Sequence, residues 1–351
     1  MSLTNTEHVE TGSPADPGAT APVEEPPAAR SSGLKGFAER NALLALLLAV
    51  IAFFALYPGS SDTFFTTQNA GVLLGNQSVV ALLALAVILP LVTGYFDFSL
   101  GAIAATSSVL TAGLMSFSGL PLGVAIAVGV GVGAVIGGIN GLLVTRFGLN
   151  SFVTTLGMAT LLGGLIQWYT GGQTILAGID PALPRFGGST WLGLPRVVFV
   201  VALATVALWY LLSQTPFGRS LYAIGSNPRS ARLVGVRVDR SVWATFVLAG
   251  ALAGVTGVLA LARAGSATAD NGTSLLFPAL AAAFLGATAV VPGFFNAVGT
   301  IIGVLFVSVA VSGLTLSGAS AWASPVFNGA ALLVAVGLSH YLGRHRGART
   351  G

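Results

Sequence analysis

The segment PLGVAIAVGVGVGAVIGGINGLLVT, residues 121–145, runs for 25 residues without a charge. A helix rises about 1.5 Å per residue, so this run can cross the roughly 30 Å of hydrocarbon in a bilayer. Gly129, Gly133, Gly137 and Gly141 fall four apart along it, which on a helix makes a stripe without side chains where a neighbouring backbone can approach. Gly250 with Gly254, and Gly299 with Gly303, repeat the spacing of two small residues four apart. The segment reads as a membrane helix in a closely packed bundle.

The rest of the chain agrees. Of its 351 residues 54% are hydrophobic and 7% charged, against roughly a quarter charged in a soluble domain. Apolar runs recur from Asn41 onward, and ten helices are expected at about 41–57, 78–94, 98–118, 121–145, 150–168, 196–213, 241–263, 275–291, 295–316 and 324–342. The alternating strands of a porin-type barrel do not occur. The expected fold is all-α: a polytopic membrane protein of about ten transmembrane helices. Residues 1–35, rich in Pro, Ala, Glu, Ser and Thr, are expected to be a disordered tail. They lack the basic start and apolar stretch of a signal peptide. Residues 36–343 are expected to form the membrane domain, with a loop at 214–240, and residues 344–351 a second tail.

Ten helices place both termini on one side. If that side is the cytoplasm, twelve basic residues lie inside: Arg30, Lys35, Arg40, Arg146, Arg219, Arg229, Arg232, Arg237, Arg240, Arg344, Arg346 and Arg349. Only Arg185, Arg196 and Arg263 lie outside, the asymmetry expected of an inner-membrane protein with cytoplasmic termini. The formal charge of +4 is thus read as topology and not as nucleic-acid binding. Trp168, Tyr169 and Trp322 mark the outer interface; Trp209, Tyr210, Trp243 and Tyr341 mark the inner one. Gly141–Gly157 and Gly313–Gly329 share their end glycines at equal separation, in helices four to five and nine to ten, which points to two five-helix halves in inverted arrangement.

The chemistry open to such a chain is narrow. Cysteine is absent, which excludes disulfides and thiolate metal sites. The three histidines, His8, His340 and His345, lie in the tails or at the last helix end, so neither a proton relay nor a histidine-based protease site is expected. The single lysine, in SSGLKGF, is not part of a phosphate-binding loop, so no cofactor is expected and any ATP must be handled by another protein. Asp97 is the one carboxylate beside a helical segment, and two readings stay open for it: a cap or polar hinge, or a gate lining the pathway. Asn140 likewise bonds a neighbouring helix or faces solute. Asn150 and Thr154 are further candidates for the pathway, with Asn69, Asn76, Gln77, Thr155 and Gln167 behind them. Pro90 is expected to kink its helix, and Arg263 to snorkel to the headgroups.

The stretch SNPRSARLVGVRVDR, residues 226–240, is the one compact basic patch between spanning helices. Asn227 can cap a helix, Pro228 suits its first turn, and Gly235 suits its end, giving a stub of about two turns. Arg229 and Arg232 share one face of it, Ala231 and Val234 another. Composition leaves it either a positively charged loop or a peg for a partner's groove.

A resemblance bears on that choice. Residues 215–259, TPFGRSLYAIGSNPRSARLVGVRVDRSVWATFVLAGALAGVTGVL, resemble permease subunits of bacterial ATP-binding-cassette importers of the ribose, xylose and galactose type. The family's recurring text is matched at Phe217, Gly218, Arg219, Tyr222, Ala223, Gly225, Asn227, Ala231, Arg232, Leu233 and Gly235. GGINGLLVTRFGLNSFVTTLGM (137–158) and FDFSLGAIAA (96–105) resemble two further family stretches, so the likeness covers about residues 65–340. The chain departs from the family at Ala287, Pro292 and Phe295, where glycines are usual, and at Phe96 and Phe98, where aliphatic residues are usual. The resemblance implies a pair of permease subunits with a cytoplasmic ATPase below and a solute-binding protein outside. It implies that Asn227, Arg229, Ala231, Arg232, Leu233 and Gly235 form the coupling helix that docks on the ATPase. The expected cargo is a monosaccharide, with branched-chain amino acids or another small solute as alternatives. A self-sufficient secondary transporter or channel, or a membrane enzyme, is the rival class.

Overall fold

In a computed structural model, which describes residues 33–268 and 270–347, each expected apolar segment holds a helix, with the eighth ending at Gly286 short of 291, and four short helices join them. In chain order the elements are α1 (Gly33–Leu56), α2 (Ser61–Phe64), α3 (Thr67–Val92), α4 (Leu100–Ser116), α5 (Leu122–Thr145), α6 (Ser151–Thr170) and α7 (Ala182–Gly188). Then come β1 (Thr190–Trp191) and β2 (Leu194–Pro195), α8 (Arg196–Gln214), α9 (Pro216–Ser226), α10 (Pro228–Leu233), α11 (Val238–Ala264), α12 (Asp270–Gly286), α13 (Ala297–Leu316) and α14 (Ala323–Gly347). The expected tails, 1–35 and 344–351, lie outside the described residues except at 33–35 and 344–347, which belong to α1 and α14. Among the described residues six helices, α3, α5, α6, α8, α11 and α13, are long and apolar enough to span a bilayer. The other four expected segments, in α1, α4, α12 and α14, contribute shorter apolar stretches.

Local chemistry sets the limits of these helices. Thr66 caps α3 by accepting a bond from the Asn69 N–H (3.1 Å), and Asn150 caps α6 in the same way for Val153 (3.3 Å). α6 stops at Gly171 and α11 at Gly265, both in the left-handed region at φ 58° and 65°, where glycine is at ease. Pro90 lies in the last turn of α3 and helps end the helix. Its carbonyl, instead of continuing the ladder, accepts from the N–H groups of Thr93 (3.0 Å) and Tyr95 (3.1 Å) and from the Thr93 hydroxyl (2.8 Å).

The glycine stripe of α5 meets α11. A Cβ on Gly133 would lie 2.5 Å from the Gly250 carbonyl oxygen, and one on Gly137 would strike the Phe246 carbonyl; from the other side, Gly250 faces the Gly133 carbonyl and Gly254 faces Val130 Cα at 2.8 Å. Gly141 packs on Phe246 and Trp243, while Gly129 turns to Ser107 and Thr111 of α4. The Ser107 hydroxyl donates to the Gly254 carbonyl (2.8 Å), so α4, α5 and α11 form one tightly packed trio. α3 fills the centre: every residue from Ser78 to Val92 is buried, as expected of a helix that is apolar all round.

Helix neighbours repeat between the two halves. α4 packs on α5, α6 and α11, and α12 packs on α13, α14 and α3. Exchanging α3 with α11, α4 with α12, α5 with α13 and α6 with α14 therefore preserves these contacts. Where α4 and α12 cross, a Cβ on Gly101 or on Gly272 would strike the other's carbonyl. One end of the bundle gathers α9, α10, the loops 93–99 and 287–296, and the arginines of residues 219–240. The opposite end carries residues 171–195, held by a two-way backbone pairing of Ile175 with Ala267 (3.0 and 3.1 Å).

Gly133→Ala and Gly131→Ala separate this packing from helix propensity. Gly131 faces open space, so its replacement should hold or slightly raise the unfolding midpoint in detergent. The Gly133 change forces α5 from α11 and should cost on the order of 1–3 kcal/mol. Equal midpoints for the two would contradict the contact.

Candidate functional site

Two places concentrate polar or unpartnered chemistry, and they adjoin at one end of the bundle. The first is the loop between α3 and α4. Gly94, at φ 84°, turns the chain there, and Asp97 that follows is 5% exposed. Its Oδ1 accepts from the Ser99 N–H (2.9 Å) and the Ser99 hydroxyl (2.6 Å). The Ser99 hydroxyl in turn accepts from Asn140 Nδ2 (2.8 Å), in the buried face of α5. The Phe98 N–H donates to the Thr155 hydroxyl (3.0 Å), which donates to the Ser151 carbonyl (2.8 Å) in the first turn of α6. One short loop is thus tied to two other helices. Asp97 Oδ2 and Asn140 Oδ1 are buried without a partner, an arrangement that costs free energy and that a simple turn does not require.

Of the four expected pathway residues, the structure brings Asp97 and Asn140 together. Asn150 instead caps α6 at its exposed end, and Thr154 is half-buried beside Thr155, which makes the contact to the loop. The reason is helical phase: adjacent residues point about 100° apart, and Thr155 is the one turned toward α4. Of the other polar candidates, Asn69 and Asn76 make structural ties, Gln77 is half-buried and Gln167 lies at the surface. Asn69 donates to the Phe64 carbonyl (2.9 Å). Arg263 does not snorkel. It donates to Asn76 Oδ1 on α3 and to the Gly187 carbonyl at the end of α7, both at 2.7 Å, and lies across Gly75. The protein itself thus holds the guanidinium by two acceptors, the one on Asn76 at an exposed position, while Nε is buried without a partner.

Aromatic rings flank the loop. Phe96 stacks on Phe98 (6.1 Å) and on Phe284 of α12 (6.3 Å), Phe98 meets Phe152 of α6 edge-on (5.0 Å), and Phe284 meets Phe295 (5.2 Å). Phe96, Phe98 and Phe295 are three of the positions at which the chain departs from the family's text. Sequence reading registered them singly, and nothing in it pointed to Phe152 and Phe284, which join them into a row.

The second place is the basic stub. Thr215 caps α9 by accepting from the Gly218 N–H (3.1 Å), and Asn227 caps α10 by accepting from Arg229 (3.0 Å) and Ser230 (3.1 Å). Gly235, at φ 85°, ends the unit. α9 buries Leu221 and Ile224, and a Cβ on its Gly225 would strike the Val92 carbonyl at the end of α3, two residues before the turn that leads to Asp97. Ala231 is buried against α11 in a cluster with Ile224, Val238, Val242 and Phe246. Val234 does not share that face, because the chain leaves the helix at this residue (φ −90°, ψ 15°), and Leu233 and Val234 stand 89% and 79% exposed. Arg232 donates to Asp239 in the first turn of α11 (2.7 Å), a partner that sequence reading missed although it lies seven residues on. Arg229, Arg237 and Arg240 are exposed. The stub thus presents an apolar tip ringed by arginines on a base fixed to α3 and α11.

A bundle of apolar helices with glycine-tight crossings, and at one end a buried polar loop beside a projecting stub, has the build of a multi-pass membrane permease. The sequence profile of the permease component of the branched-chain amino acid transport system matches residues 70–336, and the chain belongs to that family. Among its relatives, the ribose import permease protein of Bacillus subtilis is 38% identical over 294 residues, 84% of this chain and 90% of the relative. The ribose import permease protein of Escherichia coli K12 is 32% identical over 85% of this chain and 92% of its own. The autoinducer 2 import system permease protein of Photorhabdus laumondii is 30% identical over 84% and 88%. No solved structure matches the chain.

Ser99→Ala should destabilise the purified protein by about 1–3 kcal/mol, because it leaves the buried Asn140 Nδ2 without an acceptor, and Asn140→Ala by about 0.5–1.5 kcal/mol, because it removes one buried hydrogen bond while Ser99 stays bonded to Asp97. The double variant should lose less than the sum, by roughly 0.5 kcal/mol or more, if the two act in one network. Strict additivity in detergent unfolding would separate them.

Proposed function

We propose that the chain is the membrane-spanning subunit of an ATP-driven importer, and that its cargo is a small sugar. It forms the passage, and a separate ATP-binding-cassette ATPase supplies the energy. Family membership and three relatives that import ribose or autoinducer 2 support this reading. The observation that carries the mechanism is the stub. Leu233 and Val234 have large apolar side chains held in the open by a rigid base, the form expected of an anchor for a partner's pocket. The surrounding arginines favour an acidic rim on that partner.

In this reading the stub's end of the bundle faces the cytoplasm, in keeping with its share of the chain's arginines. A solute-binding protein delivers cargo at the opposite end, and a second permease subunit completes the passage. A push on α10 reaches α3 through Gly225 and reaches α11, with α5 locked to it, through Ala231 and its cluster. Because these contacts are backbone-close, the helices shift as units, and the loop at Asp97 lies where the α3 end would carry the motion. Branched-chain amino acids are the second reading for the cargo, on the description of the matched family.

Leu233→Asp with Val234→Asp should leave expression and folding intact while lowering capture of the ATPase and ATP-driven uptake by roughly tenfold or more, the loss expected on removing a buried anchor. Undiminished uptake at normal expression would remove the docking role. Sustained solute accumulation by the purified chain alone would overturn the importer reading itself.

A further inference from the structure

At the end of the bundle opposite the stub, the two-residue strands β1 and β2 form a hairpin immediately before α8. Thr190 pairs with Pro195 and Trp191 with Leu194, and the turn between them is Leu192–Gly193. Both turn residues have positive φ, 52° and 79°. That is the turn in which Asn-Gly or Gly-Gly is at ease and a leucine is strained. The strain brings Leu192 little cover within the chain, since it is 81% exposed, and Trp191 and Leu194 beside it are exposed as well. An apolar, strained tip with nothing of its own to cover is built for contact with something else.

The packing of Trp191 indicates what that is. Its ring lies 5.0 Å from Phe199 in the first turns of α8. Phe199 continues along α8 through Leu203, Val206 and Tyr210, spaced four, three and four apart and so on one stripe of the helix. Leu203, Val206 and Tyr210 are exposed. α8 is strongly apolar yet mostly unburied, so that stripe is free to face lipid. The helix is also short for a bilayer span, since its 19 residues reach roughly 28 Å and start from an exposed arginine, Arg196. Trp209 and Tyr210 mark one end of the stripe at the depth where aromatic rings favour the membrane interface, and beyond Arg196 the hairpin supplies the matching aromatic and aliphatic groups at the other. The Arg196 N–H donates to the Ser189 carbonyl (3.0 Å), which fixes the hairpin to the helix start.

We infer that the β1–β2 hairpin is a membrane-interface wedge: Trp191, Leu192 and Leu194 insert at the boundary of headgroups and acyl chains and extend the lipid contact of α8 past Arg196. Arg185 and Arg196, both exposed, stand beside it to meet anionic headgroups. The inference uses the membrane-spanning fold and not the transported solute or the direction of transport.

The chain has no cysteine, so Leu192→Cys provides a single labelling site. Labelled with the fluorophore NBD and placed in nanodiscs of phosphatidylcholine and phosphatidylglycerol, it should emit to the blue of the free dye. Lipids carrying a nitroxide at acyl carbon 5 should quench it more than lipids carrying one at carbon 12. Iodide should quench it at least about threefold less than the free dye. A second measurement needs no label: Trp191→Phe should remove a component of the intrinsic fluorescence that shallow brominated lipid quenches. Full iodide access with no lipid quenching, and no change on Trp191→Phe, would overturn the wedge. So would shielding that arises only when a solute-binding protein is added, since that would make the hairpin a protein dock.

Discussion

The contact on which the bundle depends is between backbones. In the apolar core of a bilayer the hydrophobic effect does not press helices together, so their association must come from close van der Waals packing and hydrogen bonds. α5 and α11 obtain both by removing side chains from the line of contact: Gly133 and Gly137 on one helix, Gly250 and Gly254 on the other, each against the other's backbone. α4 then closes on the pair, with Ser107 bonded to the Gly254 carbonyl and Gly257 against the Ala104 carbonyl. Contacts of this kind have no slack, because backbone atoms do not change rotamer. They make the trio a rigid member.

Rigidity at the centre gives the two ends of the molecule their meaning. The stub α10 projects from the bundle but is seated on it through Ala231, and α9 meets the end of α3 through Gly225. The ion pair of Arg232 with Asp239 is exposed at both partners and adds little stability by itself. What it does is direct the guanidinium toward α11 and leave the tip of the stub apolar. At the other end, Arg263 joins α11, α3 and α7, so the segment leading to the hairpin is held to the same framework.

At the stub's end of the bundle, the loop at Asp97 is the least settled chemistry in the described structure. It combines a buried carboxylate oxygen without a partner, an asparagine oxygen in the same condition, and a row of phenylalanines running from Phe152 through Phe98 and Phe96 to Phe284 and Phe295. Most other buried hydroxyls bond back to their own turns, as those of Thr106 and Ser308 do, and the remaining unpartnered buried atoms, at Ser108, Arg263 and Asn328, are scattered singly. A site that departs from that economy, next to helices joined to the stub, is where conformational work is most easily focused.

Much of the fold was legible in the residues alone. Charge-free runs as long as a bilayer is thick place the helices, since a buried charge is too costly to leave one inside by accident. The spacing of Gly129, Gly133, Gly137 and Gly141 marks a contact face, and Asn227, Pro228 and Gly235 delimit a helix to within a residue, because caps and glycine turns are local events. Three things were not local. Which helix fills the glycine stripe, that Thr155 and not Thr154 reaches the Asp97 loop, and that Phe96, Phe98 and Phe295 share one row through Phe284 depend on how helices far apart in the chain are rotated against each other. Asp239 and the exposed Val234 also escaped, for the related reason that the path of the chain after α10 decides which neighbour a side chain meets. A sequence specifies which surfaces seek cover; the mutual packing of all the helices decides what covers them, because every contact must be satisfied in one arrangement at once.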